Sequence, residues 1–394
     1  MIPYKHQEEN APIIADLLEE HGIAYLAWEE RTGKTLTAIM AVELLPVTKV
    51  LVVTQKKALE GWTDTLEDYP HKKQFSVTNY HNARKQEKPD IIIIDEAHNF
   101  ISAFPKPGKI WKEMRTLCQD IPILYMSATP HAQGAQMLYH QFALSSASPW
   151  AKYPNFYSWF KTFGKLYQLK LNGRSVNQYD RCDTAFVLNC VDHLFSTKTR
   201  KELGFKHEPK DQLHYIELAP DTKTAYNILL DDNIVDLRAG KLVCDTTSKL
   251  RFSLHMLEGG VAKIDEHRFV LANTEKVDYI LEHFGDTKGL VIMYNYIAER
   301  EKLEKYFSKA TLLQATSYAE GVDLHEYENL VIYSQDFRTA KHTQRRARQA
   351  NIKRDTPIVV HFLLVKTAIS DQVYKTVSKN KRNFVDSVFT RERL

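Results

Sequence analysis

Four consecutive isoleucines at positions 91–94 constrain the fold of this chain more than any other feature. They stand in the segment PDIIIIDEAH, and a strand built only from β-branched apolar residues is typical of a parallel sheet that helices cover on both faces. A second apolar segment, IPILYMSATP, has the same character. Strand-like segments alternate with helical ones through the first third of the chain, for example TKVLVVTQ and then KALEGWTDTLEDY. This alternation predicts an α/β fold with a doubly wound parallel sheet.

The alternation breaks in the middle of the chain and then resumes. The middle segment contains PWAKYPNFYSWFKTFGKLYQLKL, which is aromatic and basic and which we interpret as mostly helical. A second α/β rhythm follows, with strands such as KGLVIMYNY and TPIVVHFLLVK. The sequence therefore predicts an N-terminal lobe over residues 1–136, an insertion or linker over 137–212, and a C-terminal lobe over 213–394.

Composition excludes several classes of protein. The 394 residues, of which 43% are hydrophobic, suffice for two or three domains. The four cysteines have no CxxC spacing, which argues against a zinc module or a disulfide scaffold. No apolar run reaches membrane-spanning length, and the N-terminus shows no basic-then-apolar export signal. We therefore expect a soluble, cytoplasmic protein without a membrane partner.

The segment ERTGKT matches the end of a phosphate-binding loop, whose pattern is G-x-x-x-x-G-K-[ST]. Gly33, Lys34 and Thr35 fit, but Trp28 stands where the first glycine belongs. Such a loop needs backbone N–H groups at a helix N-terminus, a lysine for the phosphates and a hydroxyl for Mg²⁺. Taken alone, the three residues fit a nucleotide site or an ordinary turn before a surface helix.

Carboxylates at the end of a buried strand favour the nucleotide site. Asp95 and Glu96 follow the isoleucines directly, at the sheet edge where ligands bind in open α/β folds. Adjacent carboxylates there carry a desolvation cost, which Mg²⁺ held by Asp95 and a water oriented by Glu96 would explain. Ser127 and Thr129, in SATP, follow the next apolar strand and are placed to relay the state of the phosphate to the rest of the lobe.

The ordered series of motifs resembles the superfamily 2 helicases and translocases, and most of all their remodeller-type (Snf-like) branch and its phage-encoded relatives. The matching segments, in chain order, are PYKHQ (glutamine motif), ERTGKT (I), VLVVTQKKALEGW (Ia), VTNYH (Ib), DEAH (II), SATP (III), GLVIMYNY (IV), ATSYAEGVDLHEYENLVIYS (V) and QRRARQANIKRD (VI). Many members lack the first glycine of motif I. The resemblance covers nearly the whole chain and implies two RecA-like lobes with the aromatic insertion between them.

The resemblance also implies the cofactors, ATP and Mg²⁺, and a set of site residues. For the nucleotide these are Gln7, Thr32, Gly33, Lys34, Thr35, Asp95, Gly321, Asp323 and Gln344. Thr35 and Asp95 would hold Mg²⁺, Glu96 would activate water, and Ser127 and Thr129 would couple the ATP and nucleic-acid sites. Motif VI departs from the pattern, because the usual second arginine falls on Asn351. We therefore take Arg348 first and Arg345 second as the arginine finger that reaches ATP between the lobes.

Nucleic-acid contacts are expected from motifs Ia, Ib and V and from a basic run. The motif residues are Lys56, Lys57, His81, Arg84 and Thr316. The run comprises Arg338, Lys341, Arg345, Arg346, Arg348, Lys353 and Arg354, and it is either a solvated helix face or a surface for ATP and the phosphate backbone. Binding through phosphates is expected to be salt-sensitive and sequence-tolerant. The aromatic residues of the insertion form either the core of a small subdomain or a stacking platform for unpaired bases.

The function that this resemblance implies is a nucleic-acid-stimulated ATPase: a DNA helicase or translocase acting on single-stranded, duplex or branched DNA in replication, recombination or repair. Three alternatives remain open. They are a duplex-tracking translocase that does not separate strands, an RNA helicase, and a non-motor binding protein with a degenerate ATP site.

Overall fold

The computed structural model describes residues 1–171, 174–315, 323–379 and 383–393. The chain divides into two compact units, Met1–Gly204 and Phe205–Leu394. The predicted middle segment, 137–212, is not a separate unit in this division, since most of it belongs to the first unit.

The first unit has helices and strands in alternation, as the sequence predicts. Its helices are α1 (Lys5–His21), α2 (Lys34–Leu44), α3 (Leu59–Asp68), α4 (Lys109–Cys118), α5 (Leu138–Phe142), α6 (Phe156–Phe163) and α7 (Thr184–Asn189). Its strands are β1 (Ile23–Leu26), β2 (Lys49–Thr54), β3 (Gln74–Asn79), β4 (Ile91–Asp95), β5 (Ile123–Met126), β6 (Tyr167–Leu171), β7 (Arg174–Gln178) and β8 (Phe195–Ser196).

A parallel sheet with the order β3-β2-β4-β5-β1-β8 forms the centre of the first unit. Its register places Leu26 of β1 opposite Met126 of β5, and Met126 opposite Asp95 of β4. Because the strands are parallel, the loops that follow β1, β4 and β5 leave the sheet at one edge. The predicted phosphate loop after β1, the acidic motif at the end of β4 and the SATP motif after β5 therefore lie at the same edge of the sheet.

The four isoleucines are fully buried, as the sequence predicts. The aromatic insertion extends the same core: its buried members are Trp150, Phe156, Trp159, Phe160 and Phe163. Tyr157, at 38% exposure, is an exposed exception. Of the two interpretations of these aromatics, packing in a core is the one that the structure supports. The insertion also contains an antiparallel hairpin, β6–β7, which the sequence did not predict.

The second unit is built on another parallel sheet. Its helices are α8 (Pro220–Asp232), α9 (Thr247–Glu258), α10 (Glu275–His283), α11 (Ile297–Leu303), α12 (Thr339–Arg346), α13 (Ile369–Tyr374) and α14 (Asp386–Arg393). Its strands are β9 (Lys210–Tyr215), β10 (Ile234–Leu237), β11 (Gly240–Val243), β12 (Val261–Ile264), β13 (His267–Val270), β14 (Leu290–Tyr294), β15 (Thr311–Gln314), β16 (Asn329–Ile332) and β17 (Val359–Leu364). The sheet order is β15-β14-β16-β17-β9, while β10–β11 and β12–β13 are hairpins.

The fold class is therefore confirmed: the protein is α/β, with two units that are each built on a parallel sheet. The sequence missed the two hairpins of the second unit. It read the residues after α8 as further helix, whereas Asn233 adopts a left-handed conformation that ends α8. Within the described ranges, no helix combines the length and hydrophobicity that crossing a membrane requires.

Candidate nucleotide-binding site

Trp28, in the place of the first glycine, is a core residue of the first unit. Its side chain is fully buried, and its indole Nε1 donates a hydrogen bond to Ser196 Oγ at 2.9 Å. The backbone beside it is paired too, since Ala27 N donates to Ser196 O at 2.8 Å and Glu29 N to Lys198 O at 3.0 Å. The start of the loop is thus fixed by a packed ring and by the β8 segment instead of by a glycine turn.

Gly33 ends the loop and caps α2. Its φ of 82° lies in the left-handed region, which favours glycine. A Cβ at this position would come within 2.3 Å of Gln7 Nε2, so the close approach of Gln7 also requires glycine. Gln7 Nε2 donates to Gly33 O at 2.9 Å, and its Oε1 accepts from Tyr4 N at 2.8 Å. Gln7 therefore supports the loop from α1, while its predicted contact with adenine stays a prediction.

Lys34 lies back along the loop that precedes it. Its Nζ donates to Trp28 O at 2.9 Å and to Glu29 O at 2.7 Å. Burial lowers the pKa of Lys34, and the charges of Glu96, Glu30 and Asp95 oppose that shift. The lysine of motif I and the acidic residues of motif II are therefore electrostatic neighbours, as the sequence predicts for a nucleotide site. Thr32, two residues before Lys34, is buried, and its hydroxyl donates to Glu29 O at 2.8 Å.

Arg200 braces the other side of the loop. Its side chain is 8% exposed and forms an ion pair with Glu30 Oε2 at 3.3 Å, and its backbone N donates to Glu29 Oε2 at 2.6 Å. The arginine belongs to the predicted middle segment, 137–212, and lies 170 residues after Glu30 in the chain. No sequence motif indicated Arg200.

Asp95 is held by donors from two preceding motifs. Its Oδ2 accepts from Thr54 Oγ1 at 2.8 Å and from Trp62 Nε1 at 3.2 Å. Tyr80, a buried residue after β3, donates its hydroxyl to Asp95 O at 2.5 Å. These contacts fix the direction of the carboxylate at the end of β4, as outer-sphere partners do at metal sites.

The donor set at this edge fits Mg²⁺. The carboxylate of Asp95 and the hydroxyl of Thr35 are hard oxygen ligands of the kind Mg²⁺ takes together with phosphate and water. Thr35 is half-buried in the first turn of α2. Among the described residues, no cluster of three or more His, Cys, Asp or Glu side chains is placed to bind a metal ion. Mg²⁺ that binds together with a nucleotide usually has only one or two protein ligands, so the set of Asp95 and Thr35 suffices.

Glu96 adopts a backbone conformation that is uncommon for a residue with a side chain. Its φ is 55° and its ψ 43°, in the left-handed region. Such geometry costs free energy and persists where the surroundings impose it, often at functional sites. Glu96 N donates to Met126 O at 2.8 Å, which extends the β4–β5 pairing by one residue and holds the turn.

Ser127 connects the ends of β4 and β5. Its hydroxyl lies 3.1 Å from Glu96 Oε2 and 2.9 Å from His98 Nδ1, and it accepts from Thr129 N at 3.0 Å. His98 Nδ1 is also 3.1 Å from Glu96 Oε2. The hydroxyl of Thr129 is buried and has no hydrogen-bond partner. The structure thus brings together Ser127 and Glu96, while Thr129 Oγ1 keeps an unused donor beside them.

The second unit gives its two finger candidates different surroundings. Arg345 is 2% exposed; its guanidinium donates to Asn295 Oδ1 at 2.7 Å and lies 3.5 Å from Asp336 Oδ2. Arg348 is 7% exposed and lies in the short 3₁₀ turn after α12. Because Arg345 stabilises the interior of its own unit, Arg348 remains the better candidate for a ligand contact.

Other predicted residues of the second unit fall in several places. Gln344 is buried, and its Oε1 accepts from Lys341 Nζ at 3.3 Å. Asn351 Nδ2 donates to Asp323 Oδ2 at 3.2 Å, so the residue in place of the second arginine contacts motif V. Thr316 and Gly321 lie outside the described residues.

The members of the basic run of the second unit differ in burial: Arg345, Arg348 and Arg354 are buried, whereas Arg338 and Lys353 are exposed. Arg346 pairs with Asp211, Arg338 pairs with Asp336 at 2.9 Å, and Arg354 donates to backbone oxygens of His325 and Tyr327. Most of these side chains therefore hold elements of the unit together. The two interpretations of the run, a solvated helix face or a surface for ATP and the phosphate backbone, both stay predictions.

The candidates of motifs Ia and Ib, in contrast, are exposed. Lys56 and Lys57 stand on a turn directly after β2, and His81 and Arg84 follow β3, its neighbour in the sheet. His81 and Arg84 line an open pocket of about 520 Å³. Arg84 Nη1 lies 3.8 Å from Glu113 Oε1 across it. Lys56, Lys57 and Arg84 thus share one region of the first unit with His81.

No protein-family model matches the chain, and no curated protein sequence matches it. Among solved structures with a similar path of the chain, two are structures of the same protein. The SWI2/SNF2 ATPase core of Sulfolobus solfataricus in complex with dsDNA has 12% identity and a TM-score of 0.44, over 98% of this chain and 93% of that chain. The core domain alone has 13% identity and a TM-score of 0.41, over 99% and 94%. At these values neither likeness bears on what this chain binds or catalyses.

Proposed function

We propose that this protein is an ATP-dependent motor that acts on DNA. The observation that carries the proposal is the convergence, at one sheet edge, of a half-buried Lys34 with Asp95 and Glu96. The order and spacing of the remaining motifs support the same proposal, because ligands of open α/β sheets bind at the carboxyl ends of the strands, where motifs I, II and III stand in the first unit.

Each residue has a task that follows from its contacts. Lys34, which now donates to two backbone oxygens, would exchange these for phosphate oxygens, and the N-terminal turn of α2 would add backbone N–H groups. Thr35 and Asp95 would hold Mg²⁺, which neutralises developing charge on the phosphates. Glu96 would orient the attacking water and accept its proton, with Ser127 fixing the carboxylate. Arg348 is proposed as the arginine finger.

DNA is proposed as the partner because Lys56, Lys57 and Arg84 form an exposed group of cations, with the exposed side chain of His81 in the same region. A surface of this kind binds the phosphate backbone, so affinity should fall steeply with salt and depend little on sequence. Translocation and strand separation share this chemistry, and RNA offers the same phosphates. Roles in replication, recombination or repair, and an origin in a phage, follow from the resemblance alone.

The test is ATP hydrolysis by the wild-type chain and by Glu96→Gln, without nucleic acid and with single-stranded DNA, duplex DNA, forked DNA and RNA. We expect stimulation by DNA in the wild type and a loss of about 10²–10⁴-fold in the variant, the usual contribution of a positioned base. Glu60→Gln, on the exposed face of α3, is the matched control and should keep wild-type turnover.

The nucleic acid that stimulates most separates the alternatives. Stimulation by intact duplex without strand separation in a parallel unwinding assay would identify a duplex translocase, and stimulation by RNA alone an RNA helicase. Folded protein that binds ATP and DNA but shows no turnover with any of the five conditions would contradict the motor and leave the binding protein.

A further inference from the structure

The second unit contains a pocket of about 450 Å³ that is lined by none of the residues proposed to hold ATP or Mg²⁺, although Asn295 and Tyr296 of motif IV and Arg338 of the basic run contribute to its walls. It opens beyond the carboxyl ends of β14 and β16, the edge where parallel sheets bind ligands. Four of its eleven described lining residues are aromatic, and the lining residues include Arg251, Phe252, Tyr296, Gln335, Phe337 and Phe384.

Gln335 is the feature that calls for a ligand. Its side chain is 2% exposed, lines the pocket, and neither its amide nitrogen nor its amide oxygen has a hydrogen-bond partner. A buried amide without partners costs free energy that a bound molecule would recover. Exchanging the amide nitrogen and oxygen leaves the same result, because either orientation presents one donor and one acceptor side by side.

The walls select a flat molecule. Phe252 and Phe337 meet edge to face with ring centroids 5.0 Å apart, and Phe384 stacks on Phe337 at 5.9 Å. Phe252 is 37% exposed, so one wall of the pocket is accessible. Aromatic side chains of this kind stack on the planar rings of nucleobases, whatever the base sequence.

The charges of the pocket are already balanced. Arg251 pairs with Asp386 at 3.2 Å and lies over the Phe337 ring at 4.8 Å, while Arg338 pairs with Asp336 at 2.9 Å. With both guanidinium groups neutralised, the pocket favours an uncharged ring over a free anion.

We propose that this pocket binds a nucleobase, with adenine the best fit. A glutamine amide pairs with the adjacent donor and acceptor of adenine, N6 and N7, through two hydrogen bonds, and the aromatic walls would stack on the ring. The base comes either from an unpaired nucleotide of a bound strand or from a free nucleoside. For the first source the proposal rests on the nucleic-acid binding proposed above, and for the second it stands alone.

The experiment compares two short single-stranded DNAs of equal length and charge, one with a central adenine flanked by abasic sites and one abasic throughout. Binding is followed by fluorescence anisotropy, and binding of free adenosine by calorimetry. We expect the wild type to prefer the adenine strand by about 5–100-fold, the range that stacking of one base gives. Gln335→Leu and Phe252→Ala should each reduce that preference at least fivefold.

Gln372→Leu is the matched control, because Gln372 belongs to α13 of the same unit, has an unpartnered amide oxygen and does not line the pocket. It should bind both strands as the wild type does. Adenosine binding lost in Gln335→Leu, with no preference between strands, would identify a free nucleoside as the ligand. If the wild type bound both strands equally, and if Gln335→Leu did not change the binding of adenosine, the pocket would not be a nucleobase site. Nucleic-acid binding elsewhere on the protein would be unaffected by that result.

Discussion

Ser127 Oγ lies 3.1 Å from Glu96 Oε2, so the hydroxyl of motif III touches the carboxylate that is proposed to activate water. The same oxygen is 2.9 Å from His98 Nδ1 and accepts from Thr129 N at 3.0 Å. A change in the Glu96 carboxylate therefore reaches the loop after β5 through a single atom. This contact gives a physical basis for coupling between the nucleotide and the rest of the first unit.

Replacement of Ser127 by alanine tests this contact. Ser127→Ala leaves Glu96 and His98 without their shared partner, and loss of such a buried hydrogen bond costs about 1–3 kcal/mol. We expect kcat for ATP to fall about 10–100-fold and stimulation by DNA to weaken, while KM for ATP changes little. Ser146→Ala, at an exposed position nearby in the chain, is the control. Unchanged kcat in Ser127→Ala would contradict a coupling role.

Thr54 provides a test of the metal site. Its hydroxyl donates to Asp95 Oδ2 at 2.8 Å, and Thr54→Val removes this bond with little change of volume. Outer-sphere partners of a ligand contribute about 10–100-fold in metal affinity. We expect the Mg²⁺ concentration for half-maximal ATPase activity to rise by that factor, with maximal activity largely restored at high Mg²⁺. Thr78→Val in β3 should leave the Mg²⁺ requirement as it is; an equal rise there would mean that any buried hydroxyl has the same effect.

The first-unit site was predictable because its signals are local. Gly33 and Lys34 follow β1 within a few residues, and Asp95 and Glu96 end the strand that four isoleucines define. Parallel pairing then brings these ends to one edge without further information. The neighbours Thr54 and Trp62 also belonged to recognised segments, yet their hydrogen bonds to Asp95 depend on side-chain directions that a sequence pattern does not contain.

Long-range contacts could not be predicted. Arg200 reaches Glu30 across 170 residues of chain, and Trp28 finds Ser196 across 168. The internal partners of the basic run could not be predicted for a related reason: charge density along a helix does not reveal which carboxylates and carbonyls the fold will place opposite it. Asp211, the partner of Arg346, lies 135 residues earlier in the chain.

A histidine pair in the second unit predicts a pH dependence of stability. His361 Nδ1 lies 2.9 Å from His214 Nε2, and Tyr279 OH contacts His214 Nδ1 at 2.7 Å. Burial first, and the charge of His214 second, lower the pKa of His361 to about 4 from the ordinary 6.5. The unfolded chain thus binds a proton that the folded chain excludes, so the contribution to stability is complete above pH 6.5 and is lost as the pH falls towards 4.

Thermal unfolding between pH 8 and pH 4.5 checks the histidine pair. His361→Gln should lower the unfolding temperature at pH 8 and reduce the additional loss seen in the wild type below pH 6.5. His267→Gln, at an exposed position of β13, should follow the wild-type pH curve. A variant at position 361 whose pH curve runs parallel to that of the wild type would contradict the proposed titration.

Arg345 and Arg348 are three residues apart, but their replacement by alanine should affect different properties of the protein. Arg345 is buried against Asp336 and Asn295, and removing one partner of a buried ion pair costs about 3–5 kcal/mol. Arg345→Ala should therefore lower the free energy of unfolding of the second unit by about that amount. Arg348→Ala, assayed at a temperature where it is folded, should lose ATP hydrolysis by about 10³–10⁵-fold, as expected of an arginine finger.

Two measurements on each variant separate these outcomes: denaturant unfolding, and ATPase rates with saturating DNA at a temperature where both proteins are folded. Lys353→Ala, at an exposed neighbouring position, is the control for loss of positive charge. If folded Arg345→Ala lost the larger share of turnover while Arg348→Ala kept it, the finger would be Arg345, and its contacts with Asp336 and Asn295 would have to break when the nucleotide binds.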